Sequence, residues 1–209
     1  GFGGLTSAVG AFRGALAAIG VTVGMAQLVS FMSSSITAAS SLQSALMSLG
    51  GTARNVGLPV DDLKAATLSL SRDGLLTVTE STLALRNLLQ SGFSLPQAIN
   101  LINGFKDSAS FARQASFDFG TAVTRTTEGI RLGMSNVADA AGITKNLGQI
   151  LKENGINADR LSEVTSDLSV RMALYNGLIK ETALFQGDAA KFAKTWAGQT
   201  TLLSAEVTK

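Results

Sequence analysis

The sequence predicts an all-α fold of elongated or bundled helices: an apolar N-terminal helix, then short capped helices, then a long heptad-patterned C-terminal helix. Three observations carry this. Apolar residues make up 45% of the chain but aromatics only 6%, so Ala, Leu, Val and Ile supply the bulk. Two stretches carry the spacing of a helix capping box. The last fifty or so residues place apolar side chains at alternating steps of three and four.

Charge divides the chain. It carries 17 basic and 15 acidic residues, yet Arg13 is the only charged residue before Arg54. The expected organisation is therefore an uncharged Gly/Ala/Ser-rich segment over 1–53, a short-helix bundle over 54–157, and a long or segmented amphipathic helix over 158–209. The chain opens on Gly1 and reads as a piece of a longer polypeptide.

In the first segment, residues 14–32 are free of charge. A membrane-spanning helix needs about 20 apolar residues. Gly10 and Gly14, and again Gly20 and Gly24, stand four apart, a spacing that lets helix backbones approach closely. These four glycines are the helix-contact candidates. Thr22, Gln27 and Ser30 dilute the apolarity and favour a helix buried on all sides over one in lipid. Residues 33–49 continue uncharged, with Ile36, Leu42, Leu46 and Leu49 near helical spacing, and Gly50-Gly51 is expected to end the element.

Pro59 suits a helix start, and Asp61 and Asp62 sit in the first turn where the helix dipole favours them. Leu63, Ala66, Leu68 and Leu70 form the expected apolar side. Thr77 and Glu80 have capping-box spacing, as do Ser94 and Gln97. The first pair starts a helix through Leu83, Leu85, Leu88 and Leu89, with Gly92 as its cap. The second starts one running to about Phe117. Phe105, Phe111, Phe117 and Phe119 read as the core of a helical hairpin. Gly120, Gly129, Gly133, Gly142, Gly148 and Gly155 then punctuate short helices, and Asn157 is placed to cap the last element.

The C-terminal seam comprises Leu161, Val164, Leu168, Tyr175, Leu178, Phe185, Phe192 and Trp196, with Ala189 and Leu203 in step. Arg171, Thr182 and Gln199 interrupt it. Interior glycines 177, 187 and 198 each cost up to about 1 kcal/mol in a helix, so two or three shorter helices compete with one long one.

Chemistry is sparse. Cysteine and histidine are both absent, which removes disulfides, thiolate or imidazole metal ligands, cysteine nucleophiles and histidine bases. No phosphate-binding glycine loop or nucleophile elbow occurs. The net charge of +2 is small and the basic residues are scattered, unlike a nucleic-acid footprint. No catalytic, cofactor-binding or metal-binding residue is assigned, and a non-enzymatic protein is expected.

Four stretches give the chain its texture: GALAAIGVTVGMAQLVSFMSSSITAASSLQSALMSL; PVDDLKAATLSLS with TESTLALRNLLQSGFSLPQAINLI; GTAVTRTTEGIRLGMSNVADAAGITKNLGQIL; and LYNGLIKETALFQGDAAKFAKTWAG. In these it resembles the tail tape measure proteins of long-tailed bacteriophages. The resemblance rests on composition and helix rhythm, and it transfers no catalytic residue. It implies a virion protein in the lumen of the tail tube, packed with copies of itself against tail tube and tail-tip or baseplate proteins. Its length would set tube length, and it would leave ahead of the DNA, which it meets only by proximity. Its apolar part would aid passage across the host membrane, with the host membrane or periplasm as a site during infection. A membrane-active pore-forming or translocator protein shares the same features, as does a helical scaffold or adaptor with no membrane role.

Overall fold

The computed structural model describes residues 44, 45 and 47–195. Gly10, Gly14, Gly20, Gly24 and Trp196 lie outside the described residues, as does the stretch 14–32. Every regular element among the described residues is helical. A helix covers 47–56 and runs straight through Gly50 and Gly51. It is followed by α1 (Val60–Ser71), α2 (Val78–Gln90), α3 (Leu95–Ala112), α4 (Phe119–Leu132), the single turn α5 (Ser135–Ala138), α6 (Leu147–Glu153), α7 (Leu168–Thr182) and the short α8 (Asp188–Phe192). Three 3₁₀ turns, Asp139–Ala141, Ala158–Glu163 and Ala183–Phe185, join the later helices.

Local chemistry explains the sharp helix starts. At α2 the Thr77 hydroxyl accepts from the Glu80 N–H at 3.1 Å, and the Glu80 carboxylate accepts from the Thr77 N–H at 2.8 Å. At α3 the Ser94 hydroxyl accepts from the Gln97 N–H, and the Gln97 carbonyl accepts from the Ser94 N–H. Each box satisfies two helix N–H groups that have no partner within the helix, and a single cap is worth about 1 kcal/mol. Pro96 falls in the first turn of α3, where its missing N–H is harmless. Asp118, Asn146 and Asp167 cap α4, α6 and α7 more simply, their side-chain oxygens accepting from first-turn N–H groups.

The centre of the unit is α3. Ala98, Leu101, Ile102, Phe105, Lys106 and Ala109 are all buried on it, a spacing of i, i+3, i+4, i+7, i+8, i+11 that makes one continuous stripe. Around it pack α1, α2, α4, α7 and α8. One hydrophobic core runs from Leu49 to Phe192. Neither expected boundary, at 53/54 or at 157/158, is therefore a boundary in the packing: Leu49 and Ala53 join the core from one side, and Val164, Val170, Leu174 and Leu178 from the other.

Several expectations need correction. The long C-terminal helix is not continuous: residues 158–192 form a 3₁₀ turn, α7, a second 3₁₀ turn and α8. One interruption precedes Leu168 and another runs from Ala183 to Gly187, whose φ of +84° turns the chain into α8. Gly177 lies inside an unbroken α7; a Cβ there would stand 2.2 Å from Ile150 Cγ2, so its role is the close approach of α6, not a break. Helix α3 stops at Ala112, short of Phe117, as Arg113 turns to an extended ψ of 148°. Leu68 is exposed, and Thr67 and Ser71 occupy the buried face of α1 instead.

Candidate functional site

The seam residues do not share one surface. Val164, Leu178 and Phe192 are buried, Leu161, Tyr175 and Phe185 are half-buried, and Leu168 is 64% exposed. The phenylalanine cluster is likewise divided. Phe105 is fully buried and Phe119 stacks on Phe192 with centroids 5.4 Å apart, whereas Phe111 is 74% exposed and meets Phe185 at the surface. The Arg113 guanidinium lies over the Phe192 ring, 5.1 Å from its centroid.

Buried polar side chains form anchors that the sequence pattern did not single out. Lys106 falls on the apolar stripe of α3 and is almost wholly buried; its ammonium donates to the Leu70 carbonyl at 2.9 Å and pairs with Asp73 at 2.5 Å. Removing one partner from such a pair leaves an uncompensated buried charge. Glu181 on α7 accepts from the Thr144 hydroxyl at 2.7 Å and pairs with Lys145 at 3.0 Å. Lys145 also pairs with Glu153. The hydrogen bonds to Glu153 and Glu181 hold the Lys145 pKa above its usual value, and the Lys145 bond holds Glu153 below the usual carboxylate range. These contacts tie α6 and the loop before it to α7.

Asp167 begins α7. Its Oδ1 accepts from the Ser169 hydroxyl and N–H and from the Val170 N–H, while Oδ2 accepts from Arg160 at 2.7 Å. The Ser169 hydroxyl, then the Val170 N–H, lead the effects that pull the Asp167 pKa from 3.8 to about 2. A carboxyl with a depressed folded pKa stabilises the fold above its unfolded pKa, and that contribution is lost as pH falls through the folded value. Urea unfolding of Asp167→Asn between about pH 4 and pH 2 is therefore expected to show a flatter loss of stability than the parent chain. Parallel curves for the two proteins would exclude this role.

A concavity lies where α2 passes into α3. Helix α2 closes with the Phe93 N–H donating to the Leu88 carbonyl and the Gly92 N–H to the Leu89 carbonyl. This closure tucks Phe93 into the core beside Tyr175, ring centroids 6.4 Å apart. Between this turn, residues 55–58 and the first turns of α7 opens a groove of about 910 Å³. Leu58, Phe93, Leu95, Leu168 and Met172 supply its apolar lining, and Arg171 its one charge. The Gln97 amide nitrogen donates to the Met172 sulfur at 3.3 Å across it.

No protein-family model, curated protein or solved structure matches this chain. The chemistry of the site therefore has to be read from its own residues. Among the described residues, no group of three or more acidic side chains is placed to hold a metal ion, and no helix is long and apolar enough to cross a membrane. The groove holds amides, aliphatic and aromatic surface and a guanidinium, which is equipment for binding. Sequence reasoning passed over it: Arg171 registered only as an interruption of the heptad seam. The signal was a cation at a seam position, and its meaning depended on the turn at 91–94 that α7 packs against.

Proposed function

We propose that this chain is a non-enzymatic, structural segment of a tail tape measure protein from a long-tailed bacteriophage. It works in the tail tube lumen with copies of itself, tail tube proteins and tail-tip or baseplate proteins, and it leaves ahead of the DNA. One observation carries the reading: a nearly charge-free Gly/Ala/Ser-rich opening, with Arg13 alone before Arg54, is joined to a chain whose described elements are all helical. The apolar stretch 14–32 supplies the part that acts at the host membrane. The packed helices over 60–192 fit a tape measure that contains a packed domain and is not a bare rod throughout.

As folded, these helices double back on one core. They count toward tube length only when laid end to end, at about 1.5 Å per residue. In-frame removal of codons 60–192 from the parent gene, with tails measured by electron microscopy, tests the ruler role. Tails shorter by on the order of 1.5 Å per deleted residue are expected. Tails of unchanged length would overturn it. Tail tube and baseplate genes flanking the coding sequence would agree with the reading, and a neighbourhood without them would count against it.

A further inference from the structure

The groove between the α2–α3 turn and α7 is electrostatically unfinished. Arg171 Nη1 donates to three backbone carbonyls, Val164 at 3.1 Å, Thr165 at 3.2 Å and Ser91 at 3.4 Å. These contacts clamp the guanidinium in place without neutralising it. Among the described residues no carboxylate pairs with Arg171, and no Asp or Glu lines the groove. In the later helices and loops Lys145, Arg160, Lys191 and Arg125 are cations that do meet an acidic partner. Arg171 uses Nη1 alone, so its Nε and Nη2 protons keep the fork geometry that suits a carboxylate.

Gly92 makes room for this arrangement. A Cβ at position 92 would stand 2.4 Å from Arg171 Nη1 and 2.8 Å from Cζ. The guanidinium therefore packs closely against the bare backbone of the turn, beside the apolar floor. Gln97 is already engaged, bonding both Ser94 and Met172. Leu168 stands exposed at the rim, next to that fixed charge. Exposed apolar surface around one preorganised cation is the anatomy of a recognition site for an apolar segment bearing one anion.

We propose that this groove docks a peptide segment of a partner protein that carries apolar side chains around a single carboxylate. The carboxylate sits on the free edge of Arg171, and the apolar side chains cover Leu58, Leu95, Leu168 and Met172. A charge-assisted pair of this kind is held in register by the three carbonyls behind it, so the cation loses little freedom when the partner arrives.

The test uses the full chain and a capped peptide, acetyl-Ser-Leu-Leu-Glu-Leu-Leu-Ser-amide, with its Gln counterpart. Binding is followed by heteronuclear NMR. The Glu peptide is expected to shift the Leu168, Met172 and Arg171 side-chain resonances, to bind about tenfold more tightly than the Gln peptide, and to weaken as salt rises. Arg171→Gln removes the preference for Glu over Gln. Because Arg171 also holds backbone carbonyls, Leu168→Asp provides a second variant at an exposed position, and its added negative charge is expected to weaken the Glu peptide selectively. Equal affinity for the two peptides, shifts confined to the Phe111–Phe185 surface, or no shifts at about 1 mM peptide would each overturn the proposal.

Discussion

Gly142→Ala is expected to lower the stability of the helical unit by about 3 kcal/mol. Two independent effects act at this residue. Its φ of +80° lies in the left-handed region, which costs an alanine about 1–2 kcal/mol. A Cβ there would also stand 2.5 Å from the Ala112 carbonyl carbon and 2.6 Å from its oxygen. Those atoms belong to the backbone at the end of α3, so relief requires moving the helix end against α4. Overpacking of that kind adds about 1–3 kcal/mol. Gly155→Ala separates the two effects. Gly155 has the same φ of +80° but nothing within 4 Å of a new Cβ, so it carries the left-handed cost alone. Thermal unfolding should place the Gly142 variant roughly 6–12 °C below the parent, and the Gly155 variant well above the Gly142 one. Equal midpoints for the two variants would show that the contact with Ala112 contributes nothing.

Phe105→Ala is expected to cost about 3–5 kcal/mol, the range for emptying a buried aromatic site. Phe105 is fully buried on α3, the helix against which α1, α2, α4, α7 and α8 all pack. A void there is shared by several helices, and no single neighbour can close it. Phe111→Ala is the matched comparison. It removes the same atoms from the same helix, but at a position 74% exposed, and should cost under about 1 kcal/mol. Urea titration of both variants measures the contrast. A Phe111→Ala loss equal to that of Phe105→Ala would mean that the surface around Phe185 is part of the core.

These pairs mark how far the sequence could be read. Helix starts were legible because capping is a local affair: a Thr or Ser and the Glu or Gln three residues on satisfy one another's backbone whatever lies across the core. Thr77 with Glu80 and Ser94 with Gln97 needed no other part of the chain. The apolar seam was less legible, because spacing of three and four continues on paper through a point where the chain turns. Leu168 is in step with Leu161 and Leu178, yet it sits at the first position of α7, just after the Asp167 cap, and faces the groove. Gly177 read as a weak point of a helix and is instead where Ile150 comes closest. Arg171 and Thr182 read as interruptions. Arg171 clamps the α2–α3 turn, and the Thr182 hydroxyl bonds the Leu178 carbonyl while packing against Gly104.

By itself the sequence determined the helical class, the positions of the capped starts over 60–112, and the confinement of charge to residues after 53 apart from Arg13. Each of these depends on residues within a turn or two of one another, or on composition. Tertiary structure alone decided which apolar residues are interior, where the C-terminal helix breaks, why Lys106 can be buried, and that Arg171 meets three carbonyls and, among the described residues, no carboxylate. Burial and charge balance are set by residues tens of positions apart, such as Ser91 with Arg171 or Asp107 with Ala189, and no local pattern encodes those meetings.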